Sequence, residues 1–323
     1  MRCILPFTLL LLLLSCCTEL DPEWGNAEGR KAQWMSSLDD DTPLEHVSLP
    51  GAHDAVTAGI TAWPQWTRTQ DLDIAALWNC GVRVFDLRPA WVDGEMGIYH
   101  DKYSAHVTFR EVLSVLSQSI ARHPGEFAIL LIRHEEEADG SSTEWGKAFG
   151  EILAAHAGLL ASYHPGITVG ELRGKILVLS RSRYEGGPIG AYLEGWYSGT
   201  DVDRQKAAGI IDGGGTVSPL WVQDYYDPEG GDDKWEAFSN LFDAVAAAGS
   251  SRPLAINHAS GYLGRLPNYR KNAAAVNPRA ADLLRCKNQP TGIVMMDFAG
   301  VDTSHGVKVC GRELVEAVIG CNF

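Results

Sequence analysis

The sequence predicts an α/β fold, read as a distorted (β/α)8 barrel with some of its helices missing. Three observations lead there. Short apolar runs alternate with stretches of helical periodicity along most of the chain, the pattern of a mainly parallel sheet with crossover helices. The apolar runs end C-terminally in polar or ionisable residues, as barrel strands do at their working rim. Little helical signal separates Asp86 from His100, or Arg181 from Leu220, so those two connections lack a helix.

Taken in order, residues 47–49 form an apolar run that stops at Pro50-Gly51 and delivers His53-Asp54; Pro-Gly marks the strand end. A helix over 71–80 carries Ile74, Leu77 and Trp78 on one face, and Gly81 caps it. The strand over 82–88 alternates, with Arg83, Phe85 and Leu87 on one face and Val84, Asp86 and Arg88 on the other. A short strand over 97–100 ends in His100. Phe109, Val112, Leu113, Leu116 and Ile120 follow the 3.6-residue period of a second helix, which Pro124-Gly125 ends. Residues 127–132 are continuously apolar, as in a strand buried on both faces.

A helix is expected over about 143–161, then a buried strand over 175–179 ending in Ser180-Arg181. Residues 182–215 are rich in glycine and read as a long rim loop over the active face. The strand at 220–222 ends in Gln223-Asp224-Tyr225-Tyr226. A helix over 234–248 precedes the strand at 254–258, which ends in Asn257-His258. A helix near 278–284 precedes the strand at 292–296, which ends in Asp297, and a helix over 312–319 closes the chain. That makes eight strand candidates. No internal repeat interrupts them.

The chain has 323 residues and a formal net charge of −14. Such acidity excludes sequence-wide affinity for nucleic acid and disfavours broad adhesion to anionic membranes. Any membrane contact must then be local and aromatic, or made by a lipid anchor. Arg2 precedes a leucine-rich run from Ile4 to Leu14 that is too short to span a bilayer and reads as the core of an export signal. Leu13-Leu14-Ser15-Cys16 looks like a bacterial lipobox, with cleavage before Cys16 leaving a diacylated cysteine; an ordinary secretory signal is the alternative. Residues 1–15 are then the lipoprotein signal peptide, 16–31 a tether, and 32–323 a single catalytic barrel. Beyond Cys16 come Cys17, Cys80, Cys286, Cys310 and Cys321. Export permits disulfides, but connectivity among Cys80, Cys286, Cys310 and Cys321 stays open. No cysteine or histidine spacing argues for zinc.

Three successive strand ends thus offer His53/Asp54, Asp86/Arg88 and His100. Two histidines with carboxylates and an arginine suit acid–base chemistry on an anionic group: one imidazole takes a proton, the other gives one, and the guanidinium holds a phosphate. The ordered runs LPGAHDAVTAG, TQ, GVRVFDLRP and IYHD resemble the X-domain of phosphatidylinositol-specific phospholipase C, and most closely its bacterial, metal-independent branch. The resemblance covers roughly residues 32 to 323.

The resemblance implies the same distorted barrel and assigns roles. His53 is the general base, oriented by Asp297, which a closed barrel brings beside it because first and last strands are neighbours. His100 is the general acid, with Asp54 orienting it. Asp86 shares a strand face with Arg88 and fixes it. Calcium-dependent relatives surround the phosphate with oxygen ligands; a guanidinium at position 88 replaces the cation, so no metal and no cofactor are expected. Arg133, in ILLIRHEEE, stands where the family has a lysine facing the inositol, and Glu135 holds it. Arg181 in GKILVLSR, and Asp224 and Tyr226 in VQDYY, match ring-binding positions. Helix capping and structural ion pairs are the plainer readings of these residues.

Trp63 and Trp66 fall where relatives carry a membrane-inserting tryptophan, with Trp196 and Tyr197 as weaker candidates. Asn257 and His258 are secondary rim residues. His106, His123, His134, His156, His164 and His305 are placed on surfaces without a role. The activity implied is cleavage of phosphatidylinositol, free or within a glycosyl-phosphatidylinositol anchor, at a membrane interface by a monomer. The products are diacylglycerol and inositol 1,2-cyclic phosphate. Another barrel phosphodiesterase, acting on glycerophosphodiesters or sphingomyelin, is one alternative; a non-catalytic inositol- or glycan-binding surface lipoprotein is another.

Overall fold

A computed structural model describes residues 31–61, 67–198, 209–264, 266 and 268–323. The signal peptide, Cys16, most of the tether, and Trp63 and Trp66 lie outside the described residues. Nine strands close a barrel: β1 (Leu49–Ala52), β2 (Val84–Leu87), β6 (Ala128–Ile132), β8 (Ile176–Ser180), β9 (Ala191–Glu194), β10 (Gly209–Asp212), β11 (Val217–Gln223), β12 (Leu254–His258) and β13 (Ile293–Met296). The order around the wall is β6-β2-β1-β13-β12-β11-β10-β9-β8, and β8 pairs back onto β6. Strand β10 runs antiparallel to both its neighbours. The other wall pairs are parallel.

Two departures from the sequence expectation decide how the site is built. The strand ending in His100 is not part of the wall. It is β4 (Glu95–His100), the middle of a three-stranded antiparallel sheet with β3 (Pro89–Val92) and β5 (Tyr103–Thr108). The physical reason is local. Asp93 and Gly94 take positive φ of 52° and 80°, the geometry of a two-residue hairpin that turns a strand straight back on its predecessor. The second departure is the glycine-rich stretch at 182–215. It supplies β9 and β10 to the wall rather than only a rim loop, and the turn at 213–216 folds β10 onto β11. Its apolar residues Ala191, Tyr192, Leu193 and Ile211 are buried, which drives the segment into the wall.

The helices are α1 (Ile74–Asn79), α2 (Phe109–Arg122), α3 (Glu136–Asp139), α4 (Trp145–Ala155), α5 (Val169–Leu172), α6 (Gly231–Ala248), α7 (Tyr269–Lys287) and α8 (Gly311–Gly320). Asp73 caps α1, and a full capping box of Thr108 and Glu111 starts α2. The helix expected near 278–284 is far longer. Pro278, which reads as a helix start, sits inside α7. Beneath the wall, where β2 and β6 begin, Arg83 is fully buried. Its Nε and Nη2 donate to Glu126 Oε2 at 2.9 and 2.7 Å. Its Nη1 donates to the Trp78 and Val82 carbonyls, Nη2 to that of Ala32, and the guanidinium stacks 3.9 Å over Trp78. This plug ties residues 31–32 to the end of the barrel away from the site. Among the described residues, Cys80, Cys286, Cys310 and Cys321 form no disulfide with one another. No described helix is long and apolar enough to cross a membrane.

Candidate active site

The candidate residues follow the C-terminal ends of different strands and converge on a cavity of about 380 Å³. His53 follows β1 and Asp297 follows β13, and the register Ala52↔Met296 sets these two residues side by side. His53 Nδ1 lies 2.8 Å from Asp297 Oδ1, while Asp297 Oδ2 accepts from the Gly261 backbone N–H at 3.0 Å. Thr69 and Gln70, the dipeptide between the first two motifs, lock this junction. Gln70 Nε2 donates to the carbonyls of His53 and Met296, its Oε1 accepts from Ala299 N–H, and Thr69 Oγ1 donates to the His53 carbonyl.

Arg88, at the joint between β2 and β3, points its guanidinium into the same space. Its Nε is 2.6 Å from Asp54 Oδ1 and its Nη1 is 3.6 Å from Glu135 Oε2. Asp54 rather than Asp86 therefore fixes the guanidinium. Asp86 Oδ2 instead accepts from the Asp54 backbone N–H at 3.2 Å and holds that residue at a φ of 45°. Likewise Glu135 lies against Arg88, and no ion pair joins it to Arg133 among the described residues. Burial drives the Glu135 carboxyl up to about 8 even against the pull of Arg88. Asp54 behaves oppositely: burial alone would raise it, but Arg88, His53 and His100 hold it far below the usual carboxylate range.

His100 reaches the cavity from the satellite sheet. Its Nδ1 lies 2.9 Å from the Thr67 carbonyl and 3.7 Å from Asp54 Oδ2. A carbonyl only accepts, so Nδ1 carries the proton and Nε2 is left for the cavity. The backbone orients this ring, and Asp54 acts on it as a nearby charge.

Two influences meet at His53. Burial lowers its pKa, but the carboxylates of Asp54, Asp297 and Asp86 outweigh burial and raise it to about 9. Arg88 Nη2 stands 3.3 Å from Nε2. A guanidinium has only donors, so that contact favours the ring with Nε2 unprotonated and its proton on Nδ1 toward Asp297. Among neutral rings the contact selects the tautomer a base needs, while the carboxylates favour the imidazolium below about pH 9.

The far side of the cavity is lined for a polar ring. Arg181 stacks 4.3 Å over Trp196, whose Nε1 donates to Asp224 Oδ2 at 2.9 Å. Tyr226 sits at the mouth, 44% exposed. Arg133 and Arg181 line both this cavity and an adjoining polar one of about 190 Å³. Trp196, a membrane candidate by sequence, and His258, a secondary rim residue by sequence, both line the cavity itself. His258 is buried, with Nδ1 2.9 Å from Ser260 Oγ and 3.7 Å from Asp224. Burial pushes it down to about 3. Tyr262 and Tyr269 also line the cavity, and nothing in the strand pattern pointed to them.

Asn257 turns away, donating to the Phe238 carbonyl and accepting from Gln223. Lys234, buried beneath, donates to Gln223 Oε1 and the Tyr225 carbonyl, and burial brings it down to about 7. His134 is packed rather than superficial, paired with Asp139 at 2.8 Å and stacked on Trp145.

Donor atoms of His53, Asp54 and Asp86 lie close enough together to hold a metal ion. The Arg88 guanidinium already lies against two of these three residues. It supplies a fixed positive charge there, and a divalent cation beside it would meet strong repulsion.

No family model matches the chain. The chain is 26% identical over 287 residues to the 1-phosphatidylinositol phosphodiesterase of Staphylococcus aureus strain Newman, covering 83% of this chain and 88% of that protein. It is 30% identical over 135 residues to human PI-PLC X domain-containing protein 1, covering 32% of this chain and 42% of that one. Among solved structures, a phosphatidylinositol-specific phospholipase C of S. aureus superposes with a TM-score of 0.72 at 22% identity, covering 89% of this chain and 97% of that chain. The enzyme of Listeria monocytogenes superposes with a TM-score of 0.69 at 20% identity, covering 91% and 99%. The distorted barrel is therefore the fold of these bacterial proteins, and the resemblance read from the motifs holds along the chain.

Proposed function

We propose that this protein is a phosphatidylinositol-specific phospholipase C that works without a metal ion. The observation that carries the reading is the His53–Asp297 pair facing His100 across a cavity into which Arg88 projects. Bound phosphate gives the Arg88 guanidinium an anionic acceptor and frees His53 Nε2 for the inositol 2-hydroxyl. His53 takes that proton, and the 2-oxygen attacks phosphorus in line. Arg88 stabilises charge on the non-bridging oxygens. His100 Nε2 protonates the departing diacylglycerol oxygen. The bond from phosphorus to the 2-oxygen forms as the bond to the glycerol oxygen breaks, giving diacylglycerol and inositol 1,2-cyclic phosphate, so the enzyme is formally a lyase. Slow hydrolysis of the cyclic product follows with the two histidines exchanging roles.

Arg133, Arg181, Asp224 and Tyr226 hold the inositol ring, with Trp196 as the face under Arg181. The enzyme is exported and anchored through Cys16, and it acts as a monomer on free phosphatidylinositol or glycosyl-phosphatidylinositol, with Trp63 and Trp66 at the bilayer and no part for nucleic acid. The test uses phosphatidylinositol micelles, excess chelator, wild type and His53→Ala, with phosphorus NMR of the water-soluble product. A cyclic phosphate signal that survives chelator and vanishes in the variant supports the reading. Cleavage that needs added metal, or acyclic phosphate from the outset, sinks it.

A further inference from the structure

A phosphodiester has two non-bridging oxygens, and both gain charge as the 2-oxygen adds to phosphorus. The mechanism above serves them with one guanidinium. A second, uncharged donor lies in the same cavity. Tyr269 is the first residue of α7, and its ring packs near both histidines, with centroids 6.0 Å from His100 and 6.3 Å from His53. Asn268 caps the helix just before it by accepting from Lys271 N–H at 2.9 Å. Tyr262 meets the ring edge-on at 6.0 Å, so its position is fixed from two sides.

Among the described residues the Tyr269 hydroxyl has no hydrogen-bond partner, although the side chain lines the cavity. Burial, then the charges of Asp54 and Asp297, keep the phenol protonated well above its ordinary range, and Arg88 is close enough to act on it in the opposite sense. A neutral phenol beside both the base and the acid, within reach of the guanidinium's field, is a donor awaiting an acceptor. His258 is the other candidate donor, 6.1 Å from the His53 ring, but its further contacts are with Asp224 and Trp196, whereas Tyr269 also meets His100.

We propose that the Tyr269 hydroxyl donates a hydrogen bond to the non-bridging phosphoryl oxygen that Arg88 does not serve, making Tyr269 a further catalytic residue. The proposal rests on the phospholipase C reading. No covalent bond to tyrosine forms and no proton leaves it.

The experiment compares wild type with Tyr269→Phe, which keeps the ring and its packing. Substrates are phosphatidylinositol and the two phosphorus stereoisomers of its phosphorothioate analogue, in which sulfur, a poor acceptor, replaces one non-bridging oxygen. Loss of one donor to a charged oxygen predicts kcat lower by roughly 10- to 100-fold on the natural ester. KM stays within about twofold, as for an interaction made mainly in the transition state, and the melting temperature is unchanged. The two enzymes then differ little on one stereoisomer, whose sulfur already occupies the Tyr269 position, and differ fully on the other. Unchanged kcat overturns the proposal. So does an equal loss on both stereoisomers, or a loss that tracks a lower melting temperature, because a packing role gives those results. Wild type that fails to cleave phosphatidylinositol overturns the functional reading itself; active wild type with an indifferent Tyr269→Phe overturns only this inference.

Discussion

Asp297→Asn tests the centre of the site with almost no change in shape. In the wild type both Asp297 oxygens accept: one from His53 Nδ1, the other from Gly261 N–H. An amide has one acceptor and one donor end, so it must fail one partner. Turning its NH₂ to Gly261 opposes two donors in a buried place, at a cost of about 1–3 kcal/mol. Turning its NH₂ to His53 avoids that cost but moves the ring proton to Nε2, where the base must be empty. The second arrangement prevails, and the productive tautomer is depleted by a factor of about 5 to 150. Loss of a charged partner for the imidazolium adds roughly another 10- to 100-fold. The product, roughly 10²–10⁴ in kcat, brackets the effect of the same change in a histidine oriented by a buried carboxylate.

The pH dependence provides an independent check. A general base works above its own pKa, and the carboxylates hold that of His53 at about 9. The acid limb of kcat/KM therefore rises toward pH 9 in the wild type and moves to lower pH in Asp297→Asn. Initial rates on phosphatidylinositol micelles across pH measure both effects. A variant retaining more than about a tenth of wild-type kcat, with an unmoved acid limb, would refute the orientation argument.

Three other outcomes follow from buried charge. Glu126→Ala strands the Arg83 guanidinium in the barrel floor and should cost about 3–5 kcal/mol; at about 2–4 °C per kcal/mol the melting temperature falls by roughly 6–20 °C. A smaller shift would mean water reaches the plug. His258, held down to about 3 in the fold against 6.5 when free, contributes stability that is complete above pH 6.5 and is lost as pH falls toward 3; His258→Gln should flatten that part of the melting-temperature profile. His53, raised to about 9, does the reverse. Its contribution is complete below pH 6.5 and is lost as pH rises through 9, so His53→Gln should flatten the alkaline side.

Much of the fold was legible because parallel barrel strands are buried on both faces. The runs that became β6 and β13 are continuously apolar, those that became β8 and β12 are apolar up to their polar C-terminal ends, and all four are buried. The site was legible where a strand end is followed at once by chemistry, as at His53, Arg88, Asp224 and Asp297. The same rule misplaced His100, because an apolar run does not say which sheet it joins. The Asp93-Gly94 hairpin turn was the available signal. The partner assignments were beyond the sequence for a different reason. Asp54, Asp86 and Glu135 are all within reach of Arg88 along the rim, and only the backbone turn at Asp54 decides which of them the guanidinium meets. Trp196 and Tyr269 reach the cavity from a wall strand's far end and a helix start, where no periodicity marks a side chain as facing inward. Pro278 misled because it is as common at helix starts as it is rare inside helices.

The satellite sheet gives this enzyme a division of labour. The proposed base His53, its orienting Asp297 and Arg88 are welded into the barrel through β1, β13 and β2, where any shift disturbs the core. The proposed proton donor, His100, arrives on a hairpin whose Met96 and Ile98 join the same core but whose turn at Asp93-Gly94 is exposed. An inserted residue or an altered turn in that hairpin changes where the acid stands while leaving the attacking half of the reaction intact. A change there therefore bears on the leaving-group half of the proposed reaction without rebuilding the rest.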